Sequence, residues 1–131
     1  MITVLFACVH NAGRSQMAAA WFTTLADPNK AQAISAGTNP ASHVHPVVVA
    51  AMREAGIDIS DARPQQLTDA LAADAHWLIT LGCDEECPAV PGVRREDWLI
   101  EDPATLPIER VRAIRDELYT RVEAFLEREH L

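Results

Sequence analysis

A nearly continuous apolar run, Ile2 to Ala7 (ITVLFA), is followed within a few positions by an alanine-rich segment that begins at Arg14 (RSQMAAAWFTTL). The first stretch is short and rich in β-formers, which reads as a buried strand. The second carries Met17, Trp21 and Leu25 at helical spacing and stops at the breaker pair Asp27-Pro28. Residues 8 to 13 (CVHNAG) must therefore turn a strand into the start of a helix, with Gly13 free to take a backbone conformation that other residues resist. A buried strand leading straight into a helix is the opening unit of a parallel sheet covered by helices.

The remaining pattern continues that alternation. QAISAG (32–37) is a short strand closed by Gly37, and His45-Pro46 opens a helix with Val48, Ala51, Met52 and Ala55 on its apolar face and Gly56 at its end. Thr68 caps a short helix through Ala73. Trp77 to Leu81 (WLITL) reads as the third strand, and Trp98 to Ile100 as a brief fourth. From about Pro107, Ile108, Val111, Ile114, Leu118, Val122 and Phe125 recur every three or four positions, the signature of a long amphipathic helix. The expectation is one α/β domain over residues 1–131, with a four-stranded parallel sheet flanked by helices. Repeats, low-complexity tracts and linkers are not seen. Such sheets bind ligands at the carboxyl ends of their strands. Cys8, Cys83 and Asp102 each fall just after a predicted strand, so one rim can gather them.

A loop entering a helix presents unpaired N–H groups and the positive end of the helix dipole, which makes an anion site. Here the amides are those of Val9, His10, Asn11, Ala12, Gly13 and Arg14. A cysteine beside such a cradle is favoured as a thiolate, and the planar fork of Arg14 suits a tetrahedral oxyanion. The plainer reading makes Cys8 a small buried residue and Arg14 a solvated helix start. The C-x5-R spacing at a strand–turn–helix junction favours the nucleophile.

Composition narrows the function classes. The formal net charge of −8 argues against nucleic acid or an anionic membrane as a partner. No stretch approaches the roughly 18 consecutive apolar residues of a membrane helix, and the apolar start lacks a basic leader and cleavage site. A cytoplasmic location is expected. Three cysteines, an odd number, suggest thiol chemistry rather than a disulfide scaffold.

The other two cysteines lie in LGCDEECPAVPG (81–92), broken by Gly82, Pro88, Pro91 and Gly92. A disulfide needs Cα atoms within roughly 4.4–6.8 Å, which a C-x3-C pair can reach if the segment bends. Asp84, Glu85 and Glu86 disfavour a resting thiolate at Cys83 or Cys87, or are simply a solvated face. Neither cysteine reads as the primary nucleophile, and both can serve as resolving thiols. A zinc site built from this pair with His43 and His45 lacks a clean ligand spacing. His43, His45 and His76 read instead as a loop residue, a helix-start residue and a strand-edge residue, and no metal or cofactor is expected.

Cys8-Val-His-Asn-Ala-Gly-Arg14-Ser15-Gln-Met17, Ser35-Ala-Gly37, Cys83, Cys87-Pro88 and Glu101-Asp102-Pro103 together resemble the arsenate reductases of the low-molecular-weight protein tyrosine phosphatase fold. The three-cysteine, thioredoxin-coupled branch is most similar, and the resemblance spans essentially the whole chain. It implies arsenate as substrate and thioredoxin as reductant. Cys8 would attack arsenate held by the loop amides and Arg14. Ser15 would hydrogen-bond the Cys8 thiolate, Asn11 would fix the loop, and Asp102 would be the general acid. Cys83 would then attack Cys8 and expel arsenite, and Cys87 would move the disulfide to Cys83–Cys87. Redox stoichiometry agrees, since reducing arsenate takes two electrons and one new disulfide supplies two. The chain departs from the family pattern in two places. A potassium-binding Glu of some members is Ala19 here, and the resolving pair is C-x3-C rather than C-x6-C. The alternatives are a low-molecular-weight tyrosine phosphatase, against which Ala104 replaces a flanking aromatic, and a non-enzymatic sensor binding arsenite or zinc through its thiols.

Overall fold

The computed structural model describes residues 1–82 and 90–131. Strand β1 (Ile2–Cys8) lies inside a parallel four-stranded sheet of order β2-β1-β3-β4, with β2 at Ala31–Gly37, β3 at Trp77–Thr80 and β4 at Arg94–Asp97. Successive side chains of a strand point to opposite faces. Val4, Phe6 and Cys8 accordingly enter one core, while Leu5 and Ala7 enter a second with Leu67, Ala72, Ala75 and Leu78. Helices cover both faces, which is why the strand reads as an apolar run rather than an alternation.

Helix α1 (Arg14–Leu25) buries Met17, Ala18, Trp21 and Phe22 against the first core. The sequence pattern included Leu25, but that side chain is among the exposed apolar ones, and Phe22 completes the stripe. Helix α2 (Pro46–Glu54) starts with proline at its first position and buries Val48, Ala51 and Met52, whereas Ala55 is its exposed C-cap. In α3 (Asp69–Ala73), Thr68 Oγ1 accepts from Leu71 N at 3.1 Å, which is the expected cap. Helix α4 (Ile108–Glu129) buries Val111, Ile114, Leu118, Val122 and Phe125, the last with its ring against Phe22, Trp77 and Trp98. Glu54 pairs with Arg112 and Arg115, fastening α2 to α4.

The fourth strand is not the expected apolar triplet 98–100 but the charged segment RRED just before it. β4 is an edge strand, so its charges are solvated and paired, Arg95 with Asp97 and Glu96 with Arg128. Trp98 N still donates to Thr80 O at 2.8 Å. Beyond that bond the ladder ends, with Trp98 and Ile100 turned into the core and Leu99 90% exposed. The apolar letters mark burial past the strand end.

Candidate active site

The order β2-β1-β3-β4 reverses direction between β1 and β3, the point at which open α/β sheets take their ligands. Residues 8–13 leave β1 there and enter α1, whose first turn carries no acidic residue and whose cap, Gly13, makes no side-chain bond. The carbonyls of Cys8, Val9, His10 and Ala12 accept from the amides of Thr38, Asn39, Ala41 and His45 at 2.8–3.2 Å. Among the described residues all peptides are trans, and in a trans peptide the N–H points opposite to the carbonyl before it. The amides of Val9, His10, Asn11 and Gly13 are thus turned away from the 38–45 segment. That orientation suits an anion cradle.

Asn11 is the residue with left-handed backbone in this turn, φ 50°. Asparagine tolerates that region, and here its side chain secures it. Asn11 Oδ1 accepts from Gln65 N at 2.9 Å and from Gln16 Nε2 at 3.2 Å, and Nδ2 donates to Ser15 Oγ at 2.7 Å. Ser15 Oγ, already an acceptor, has its own proton to offer Cys8 Sγ, 2.9 Å away. The chain Asn11–Ser15–Cys8 is buried throughout and ends on the sulfur, and Cys8 is a free thiol. Gly13 has φ −142°, outside the left-handed region. Its lack of a side chain is required instead by Pro103, whose Cγ would lie 2.8 Å from a Cβ there.

Arg14 is not the solvated helix start of the plainer reading. It is 8% exposed, with Nη1 donating to Ile100 O at 3.3 Å and Nη2 3.7 Å from Asp102 Oδ2. Asp102 is half-exposed, and its Oδ1 accepts from Ala104 N at 3.0 Å. One guanidinium therefore joins the segment after β4 to the cradle after β1. His45 caps the same wall, with its amide on Ala12 O and its ring edge beside Gly13. Burial pushes the His45 imidazole below its ordinary value, and the nearby Asp102 carboxylate opposes that shift.

Cys8, Asn11, Gly13, Arg14, Ser15 and Asp102 are brought together as the sequence suggested. Cys83 and Cys87, with the Asp84–Glu86 acids, lie outside the described residues. Among the described residues no group of three or more His, Cys, Asp and Glu is placed to hold a metal ion. No described helix is long and apolar enough to cross a membrane. Sequence reasoning named Gly82 as a breaker and quoted Gln16 and Pro103 within motifs, but gave none of them, nor Gln65, a part at the loop. Gly82 has φ 95° and lies against the Arg14 guanidinium. Only its position directly after an apolar strand gave a signal.

The sequence model of the family described as low molecular weight phosphotyrosine protein phosphatase matches residues 3–130. A curated relative from Staphylococcus epidermidis, named arsenate reductase 2, is 34% identical over 126 residues, 94% of this chain and 95% of that one. A solved arsenate reductase in the phosphate binding state is 32% identical, with a TM-score of 0.85 and 98% of both chains covered. The thioredoxin-dependent arsenate reductase structure of Corynebacterium glutamicum is 40% identical with a TM-score of 0.72. The match covers 95% of this chain but spans 62% of the length of that one.

Proposed function

The chain belongs to the low-molecular-weight phosphotyrosine protein phosphatase family, and we propose that it is an arsenate reductase working through three cysteines and recycled by thioredoxin. The observation that carries the reading is the buried donor chain Asn11–Ser15 ending on Cys8 Sγ beneath a turn whose amides and Arg14 suit an oxyanion. Curated relatives named arsenate reductase align over nearly the whole chain.

Arsenate binds with its oxygens on the loop amides and the Arg14 fork. The Cys8 thiolate attacks arsenic, forming an S–As bond, and Asp102 gives the departing hydroxyl a proton so that it leaves as water. The Cys83 thiolate then attacks Cys8 Sγ. The S–As bonding pair stays on arsenic, which leaves as arsenite, and a Cys8–Cys83 disulfide remains. Two electrons have passed from sulfur to arsenic. Cys87 attacks Cys83, freeing Cys8 and moving the disulfide to Cys83–Cys87, which a thioredoxin dithiol reduces. Such a cycle needs a reducing compartment, so we place the protein in the cytoplasm.

A phosphatase is the second reading, because the same cradle suits phosphate. Hydrolysis needs Cys8 and Asp102 but leaves Cys83 and Cys87 without a part. Arsenite production from arsenate is to be measured with thioredoxin, thioredoxin reductase and NADPH, beside hydrolysis of a small aryl phosphate. Thioredoxin-dependent arsenite formation is the expected result. Aryl phosphate turnover without arsenite formation would assign the chain to the hydrolases.

A further inference from the structure

Gly82 is the last described residue before the segment that carries Cys83 and Cys87. Its φ of 95° lies in the region that side chains rarely adopt. A Cβ built on its backbone would overlap Arg14 Nη1 and sit 3.1 Å from Arg14 Cζ. The same Nη1 donates to Ile100 O, and Nη2 lies 3.7 Å from Asp102 Oδ2. The fork of Arg14 is therefore walled on one side by bare backbone, where any other residue would place a methyl or larger group.

We propose that Gly82 is a positioning residue for oxyanion binding: its missing side chain is the space that the Nη1 end of the Arg14 guanidinium occupies at the exit of β3. The inference concerns the site assigned above but does not need arsenate to be the substrate. A fork forced off this wall has to rotate or withdraw. Its two N–H groups then no longer meet two oxygens of one anion together, which is the source of the strength of a bidentate contact. A lysine at position 14 ends one atom earlier and carries no Nη1, so the overlap with the added methyl is removed and only a contact near 3.1 Å, at the place of Cζ, is left.

The test is a double-mutant cycle on the full chain, with inorganic phosphate as the probe in calorimetric titration and melting temperature measured in parallel. Gly82→Ala should weaken phosphate binding about tenfold or more, since displacing a binding group by about 1 Å is costly. In an Arg14→Lys chain, where binding is already weaker, the same change should alter the affinity less than about twofold. A backbone effect alone would reduce affinity equally in both chains, and that result would overturn the assignment. So would wild-type phosphate affinity in Gly82→Ala. If the single variant does not fold, the pair with Arg14→Lys decides: backbone strain at φ 95° is common to both chains, so relief of the overlap must leave the pair more stable than the single variant, and a pair no more stable overturns the proposal. Because phosphate binding is read without turnover, failure of this proposal leaves the arsenate reductase reading untouched. An absence of arsenate reduction would likewise leave this one standing.

Discussion

Ser15 Oγ stands between two partners, receiving a hydrogen bond from Asn11 and giving one to Cys8. Ser15→Ala removes the donor to the thiolate that the proposed mechanism requires at Cys8, a contact worth about 1.5–3 kcal/mol. Single-turnover arsenate reduction should fall about 10- to 100-fold, since each 1.36 kcal/mol is about a factor of ten. An unchanged rate would make the serine a packing residue. Asp102→Asn keeps the shape but cannot give a proton, so the first chemical step should slow by about 10²–10⁴-fold with the melting temperature preserved. His45 adds a stability signature. Burial holds it below the ordinary histidine value of 6.5, so as pH falls through that value the unfolded chain takes the proton first. Stability contributed by the neutral ring is present at pH 7 and is lost on acidification. The melting temperature of His45→Gln should drop less than that of the wild type between pH 7 and 5, and equal drops would remove His45 from this role. At this scale the sequence is uneven evidence. Cys8, Asn11, Arg14 and Ser15 are legible because one turn holds them all. Gln65, Gly82 and Pro103 reach the loop from 54 to 90 residues away, through contacts that no local spacing encodes.

Elements are legible in the sequence wherever one helix or strand face meets one core. The stripe from Val111 to Phe125 needs only a period of 3.6 and a sheet to lie on. Strand β4 shows the opposite case. An edge strand is defined by pairing on one side, and its side chains can be charged, so RRED carried no strand signal while WLI after it did. Phe125 makes a useful probe of this layer, since it is 2% exposed and touches rings from α1, β3 and the segment after β4. Phe125→Ala should cost about 3–5 kcal/mol in denaturant unfolding. Phosphate affinity should hold below the melting temperature, because the cradle is fastened by its own bonds to residues 38–45 and 65. A loss of less than about 1 kcal/mol would show that the core refills, which large-to-small changes seldom permit.

Across the whole molecule, the parallel sheet brings the ends of β1, β3 and the segment after β4 to one rim, and Arg14 touches two of these directly. The fold class followed from alternation of elements, and the rim from the rule that ligands sit at strand carboxyl ends. The order of events among the three thiols is chemistry that neither pattern contains, and the proposed mechanism stands on it. Its most direct measurement is the arsenite released per enzyme by Cys87→Ser, with peptide mapping under non-reducing conditions. In that variant Cys83 can still displace arsenite from Cys8, but nothing moves the disulfide onward. About one equivalent of arsenite is expected, then a stall, with a disulfide joining residues 8 and 83. Sustained turnover with thioredoxin at the wild-type rate would contradict that order.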